Sequence, residues 1–225
     1  MARFSSTLAT SVLAGCGALA AVSFTAVPPA EAHPHVFVSV KTEVQISKGT
    51  INAIKHVWTF DEFYSAMATE GLDTNKDGKL DRQELAELAK VNMEGLREFR
   101  YFTHASREGT ALKLLEAEGE AWLEFNNNVL SLHFTVPLEK PVLIDAKGFA
   151  FSIYDPSYFI AFELDPKEPA RLSAEAPKSC KVAVGVPKQD AAEVQKLGES
   201  FFTQLGGSPD FASGFAKSVS VSCGG

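Results

Sequence analysis

The chain has 225 residues, 45% of them hydrophobic, with 21 Lys and Arg against 28 Asp and Glu and a formal net charge of −7. That is enough apolar material for a substantial core. The acidic balance, with no Lys/Arg cluster to track a phosphate backbone, argues against nucleic-acid binding.

Residues 1–32 read as an export signal. Arg3 precedes a stretch from Leu8 to Val27 that lacks charge, and Ala30-Glu31-Ala32 supplies a small-x-small cleavage pattern. The stretch is rich in Ala, Gly, Ser and Thr and meets Pro28-Pro29 before any basic stop-transfer cluster, which separates it from a membrane span. A lipoprotein signal with Cys16 lipidated, in Leu13-Ala14-Gly15-Cys16, is the competing reading; the apolar sequence after Cys16 counts against it. Cleavage leaves residues 33–225 as a periplasmic protein with no further membrane span. Cys180 and Cys223 then form an even pair, expected to bond in an oxidising compartment and to stabilise the fold by ~4 kcal/mol.

Val36 to Ile46 alternates apolar and polar residues and predicts a strand. A turn at Lys48-Gly49 returns it as a second strand, Thr50 to Phe60. From Asp61 the period changes to helical up to Glu70, an Asp/Asn/Gly-rich segment follows, and helix resumes from Arg82 to Leu96. Ala121 to Phe125 and Val129 to Leu138 form a second hairpin around Asn126-Asn127-Asn128. Val142 to Tyr154 and Tyr158 to Leu164 read as strands joined at Asp155-Pro156, and Lys181 to Val186 as another. Asp190 and Glu193 make a capping box for a helix carrying Val194, Leu197, Phe201 and Leu205; Ser208-Pro209 opens a short helix and Val219 to Cys223 a last strand. The expected fold is one α+β domain, mainly antiparallel, with a helix-loop-helix insertion over residues 61–98 and C-terminal helices.

The twelve residues Asp73 to Glu84 match the EF-hand calcium loop at every diagnostic position. Calcium takes six to eight oxygen donors, and the spacing provides Asp73, Asn75 and Asp77 by side chain, Lys79 by backbone carbonyl, Asp81 directly or through water, and Glu84 by both carboxylate oxygens. Gly78 permits the sharp turn, while Leu72 and Leu80 give the loop an apolar backing. One loop alone does not make a paired sensor, so a structural site is expected, with affinity of about 10⁻⁵ to 10⁻³ M.

His33-Pro34-His35-Val36-Phe37-Val38, Trp58-Thr59-Phe60-Asp61-Glu62-Phe63 and Tyr154-Asp155-Pro156-Ser157-Tyr158-Phe159 carry a resemblance over essentially the whole mature chain. The chain resembles a bacterial family of unknown function, catalogued as the periplasmic component of an uncharacterised transport system and encoded beside nickel/cobalt-type permeases. The resemblance implies a periplasmic, metal-handling accessory whose partner is an inner-membrane permease. On the residues themselves, cleavage after Ala32 would let the His33 amine and imidazole join His35 in a nitrogen site suited to Cu, Ni, Co or Zn. A regular hairpin turn pairs Lys41 with His56, which puts His35 about 20 Å further along the strand. His104 and His133 read as solvated histidines, and Asp61 and Asp155 as either oxygen ligands or turn caps.

No Gly-x-Ser-x-Gly, His-Glu-x-x-His or Cys-x-x-Cys occurs, so no enzymatic function is expected. The sequence points to a non-enzymatic calcium-binding protein that supports a transition-metal transporter. The alternative is a calcium-stabilised interaction or adhesion module.

Overall fold

The computed structural model describes residues 34–144, 147–187 and 209–224. The export segment, His33 and the helix expected between Asp190 and Leu205 lie outside these residues.

The described chain is mostly β, in two sheets with few helices. It begins with strands β1 (Val36–Ser47) and β2 (Thr50–Phe60), joined through Lys48 and Gly49, both in the left-handed region that two-residue hairpins require. Ser47 pairs with Thr50 as the turn dictates, but the register slips between Ile46↔Ile51 and Gln45↔Ala53. Asn52 is the extra residue, and its side-chain nitrogen donates to Ser47 Oγ at 2.9 Å and the Thr50 carbonyl at 3.0 Å. The bulge corrects the expected pairing: Thr42, not Lys41, lies opposite His56.

Next come helices α1 (Glu62–Thr69) and α2 (Ala86–Glu98), then β3 (Thr103–Arg107) and β4 (Thr110–Ala111). A second hairpin follows from β5 (Glu118–Asn126) and β6 (Val129–Leu143), longer than expected at both ends. The remaining elements are β7 (Phe149–Ile153), β8 (Ile160–Leu164), β9 (Ala170–Leu172), β10 (Cys180–Val184), a short helix α3 (Pro209–Phe215) and β11 (Ser218–Cys223). The first sheet runs β5-β6-β2-β1-β8, with β9 also on β1; the second runs β10-β11-β7-β3-β4. The antiparallel expectation holds except for β8 and β9, which lie parallel to β1.

Two further expectations are corrected. The strand read as Val142 to Tyr154 is broken, because β6 ends in the first sheet and β7 begins in the second. Gly148 makes that change possible: its φ is +79° and a Cβ there would come within 2.8 Å of the Glu108 side chain and 2.9 Å of its backbone nitrogen. Helix α2 begins at Ala86 rather than Arg82, since Arg82 to Leu85 form a turn that is closed by Leu85 N–H donating to the Asp81 carbonyl.

The strand periodicity places Val38, Val40, Ile54, Trp58, Leu130, Leu132 and Phe134 on the inner side of the first sheet. Phe149, Phe151, Ile153, Val219 and Val221 meet them from the second, and Leu85 and Ala89 of the α2 region join the same cluster. Burial of each large apolar side chain contributes ~1.5–3 kcal/mol. Cys180 and Cys223 are directly opposite in β10 and β11 and are disulfide-bonded, as expected. Among the described residues, no helix is long and apolar enough to cross a membrane.

Candidate metal centres

The segment from Asp73 to Glu84 lies on the connection from β2 to β3, between α1 and α2. Asp61 caps α1 by accepting the Tyr64 N–H at 2.8 Å, and the Ser65 hydroxyl locks the helix to β6 by accepting the Leu130 N–H at 2.9 Å. Leu72 and Leu80 are half-buried against the core, so the loop is held from behind at both ends. Its turn is made by Lys76 and Gly78, with φ of +61° and +78°.

The acidic side chains of the loop accept backbone N–H groups. Asp73 Oδ2 takes Gly78 N–H at 3.0 Å and Asp77 Oδ1 takes Lys79 N–H at 2.8 Å. Asn75 Oδ1 accepts from Asp77 N–H at 2.8 Å, and Asp81 Oδ1 from Gln83 and Glu84 N–H at 2.8 and 2.9 Å. Glu84 reaches back across the loop. Its Oε1 accepts from Thr74 N–H at 2.8 Å and Asn75 N–H at 3.3 Å, and its Oε2 from Asp81 N–H at 3.3 Å. Burial pushes the Glu84 carboxyl up, but the Thr74 hydroxyl and the N–H groups of Asp81, Asn75 and Thr74 outweigh it and leave the group below its ordinary value. Among the described residues no three His, Cys, Asp or Glu side chains are gathered tightly enough to grip an ion as they stand. The donor set nonetheless fits calcium chemically, because all its side-chain ligands are oxygens and each carboxylate keeps acceptor capacity beyond the N–H groups it serves.

The described histidines do not converge. His35 is exposed at the start of β1, its ring centroid 4.8 Å from that of Phe159 and its backbone N–H donating to the Phe159 carbonyl at 2.9 Å. His104 stacks on Tyr154 at 3.9 Å. His133 lies on the outer face of the first sheet, stacked on Trp122 at 3.8 Å and hydrogen-bonded to Glu124 at 2.9 Å. His56 is fully buried, stacked on Phe134 at 4.8 Å.

Sequence reasoning missed the character of His56. The Thr103 hydroxyl donates to the Tyr101 carbonyl at 2.8 Å, so it can only accept from His56 Nε2–H, at 3.4 Å. Nδ1 is then a bare acceptor, and it has no hydrogen-bond partner among the described residues; Trp58 Nε1 has none either. Burial lowers the His56 pKa to about 3, so the imidazole is neutral. Parity in β2 was the available signal, since His56 stands midway between the inward-facing Ile54 and Trp58.

Asp61 and Asp155 both turn out to be caps. Besides capping α1, Asp61 Oδ2 accepts Phe37 N–H at 2.9 Å; Asp155 takes Ser157 N–H at 2.8 Å and Ile160 N–H at 3.0 Å. With the His35–Phe159 contact, these bonds bring the three sequence motifs together at the start of β1.

The chain is similar to an uncharacterized protein of Haemophilus influenzae, at 24% identity over 159 residues, covering 71% of this chain and 75% of that protein. A family model described as "Protein of unknown function (DUF1007)" matches residues 18–223, which take in both sheets, the Asp73–Glu84 loop and the motif corner at the start of β1. The chain therefore belongs to the DUF1007 family.

Proposed function

We propose that this is an exported calcium-binding protein in which Asp73 to Glu84 acts as an EF-hand loop with a structural role. The observation that carries the reading is the fold-back of Glu84, the twelfth loop residue, onto Thr74, Asn75 and Asp81. The loop is already closed by the side chain that would bind the ion with both oxygens. Asp73, Asn75, Asp77, Asp81 and Glu84 would hold calcium by side chain and Lys79 by its carbonyl. The ion would neutralise four carboxylates, and the chain's own part is to set the directions in which α1 enters the loop and α2 leaves it. The Cys180–Cys223 disulfide supports an oxidising, extracytoplasmic setting.

Millimolar calcium should raise the melting temperature of the mature chain by several degrees, with calorimetric binding at one site. Glu84→Gln should weaken binding at least tenfold. An unchanged melting curve and no binding heat would sink the reading.

The proposal extends to an accessory role in transition-metal transport through His33 and His35. The exposed position of His35 at the start of β1 supports this part. Titration of Ni, Co, Zn and Cu into the mature chain and into His33→Ala/His35→Ala decides it. A site tighter than micromolar that the double substitution removes is expected; its absence leaves the calcium-stabilised interaction module.

A further inference from the structure

Two cavities that share Glu43 and Lys55 lie on the outer face of the first sheet, one of ≈ 530 Å³ toward Ser47 and one of ≈ 550 Å³ toward Trp122; the second is a groove. Its floor is one row of directly opposed residues on four strands: Lys41 on β1, Val57 on β2, His133 on β6 and Trp122 on β5. The next row contributes Glu43 and Lys55. The opposite wall is the strap Lys167 to Arg171, which leads into β9.

The floor and the strap are both fixed. Trp122 is held on one side by the parallel His133 ring at 3.8 Å and on the other by the Arg82 guanidinium at 4.4 Å from its centroid. His133 is held by Glu124, and Arg82 by Glu120 at 3.1 Å. The strap is tied to β1 by Lys41–Glu168 at 2.7 Å, by Arg171–Glu43 and by the Thr42 N–H donating to the Pro169 carbonyl at 3.2 Å. These ties use Lys41 and Arg171 on the two glutamates of the groove. Lys55 and Lys167 also line it, are exposed, and have no ion-pair partner among the described residues. Among the lining side chains the cations Lys41, Lys55, Lys167 and Arg171 thus face the carboxylates Glu43 and Glu168 of a rigid, partly apolar cavity, with Asp165 beside it drawing on Lys41 and Lys167 and Glu43 on Lys55. The cavity has the size of a small-molecule site, where a few placed polar groups orient a mostly apolar ligand.

We infer that this groove binds a small organic carboxylate with an apolar body, its charge met by Lys55 and Lys167 and its body lying over Val57 beside the Trp122–His133 stack. The proposal does not rest on the calcium reading, although Arg82 of that loop holds Trp122.

The test uses the full mature chain at fixed ionic strength, with naphthalene-2-carboxylate, the neutral naphthalene-2-methanol, and inorganic phosphate as probes. Binding is followed by calorimetry and by the His133 ring resonances. Saturable binding of the carboxylate that shifts His133 and weakens at least tenfold in Lys55→Gln/Lys167→Gln is expected, with the alcohol at least tenfold weaker. Both lysines are exposed, so the variant should keep the parent's melting temperature, and Val57→Glu gives a second way to block the floor. Absence of saturable carboxylate binding, equal binding of the alcohol, or indifference to both variants overturns the proposal. Phosphate binding as tightly as the carboxylate overturns the role given to the apolar floor.

Discussion

In the Asp73–Glu84 loop every acidic side chain accepts at least one backbone N–H, and the hydrogen bonds lie near solvent. At His56, some of the same chain's polar atoms are sealed between the sheets, with Nδ1 and the nearby Trp58 Nε1 lacking a hydrogen-bond partner among the described residues. The contrast concerns what each region can respond to. A solvent-side carboxylate can trade an N–H for a cation at small cost, because water stands in for whatever is left behind. A buried imidazole has no such substitute, and neither a proton nor an ion can reach it without opening the core. The loop should therefore answer to calcium, and the core to pH.

The largest effect is expected at His56. Its folded pKa, about 3, lies below the unfolded value of 6.5, so the unfolded chain binds the extra proton between these limits. The stability that neutral His56 provides is fully present above pH 6.5 and is lost as pH falls, at ~1.4 kcal/mol per unit, until about pH 3. His56→Leu should reduce the slope of stability against pH between 6.5 and 5, where ordinary carboxylates remain ionised, leaving the part set by His104, whose pKa burial also lowers. Chemical denaturation at several pH values checks this, and parallel curves for parent and variant would mean that another group sets the slope.

Calcium comes next. At a hundredfold excess over its dissociation constant, a ligand that binds only the folded state adds ~2.7 kcal/mol. Glu84→Gln should cut this gain to about 1.4 kcal/mol or less, the value for tenfold weaker binding, while leaving the acid slope of His56 intact, and His56→Leu should do the reverse. A double variant whose effects add confirms that the regions act separately. In the absence of calcium the depressed Glu84 carboxyl contributes stability above its ordinary pKa that is lost as pH falls through its folded value. That loss begins below the ordinary carboxyl value of 4.5, inside the lower part of the His56 window, so the stretch above about pH 5 reports His56 without Glu84.

At Asp73 to Glu84 the break between two helices was legible, because the Asp, Asn and Gly residues that interrupt the helical period are consecutive. The first hairpin was legible because Lys48-Gly49 fixes its turn and the period of two fixes its faces. Its register was not, since Asn52 adds one residue through hydrogen bonds to Ser47 and Thr50 that no periodicity reveals. Strands β3 and β4 were missed because they are short and polar; β3 is Thr-His-Ala-Ser-Arg, and its pairing to β7 is supplied by the rest of the fold. The groove was invisible for a related reason: Lys41, Val57, His133 and Trp122 are far apart in sequence, and only correct register across four strands puts them in a row.

The smallest effect concerns the place where the loop touches the sheet. Arg82, tenth in the loop, lies over Trp122, while Trp58, the only other tryptophan, is buried in the core. The contact is partly exposed, and a cation over an aromatic ring in such a setting is worth ~0.5–1 kcal/mol. Arg82→Ala should therefore lower stability by no more than about 1 kcal/mol. Its informative consequence is spectroscopic. If calcium fixes the turn that carries Arg82, then saturating calcium should change Trp122 emission in the parent and should leave it unchanged in Arg82→Ala, with calcium affinity little altered. Trp122→Phe identifies which tryptophan reports. Calcium binding without any change in Trp122 emission would mean that the loop orders itself without passing the change to the sheet.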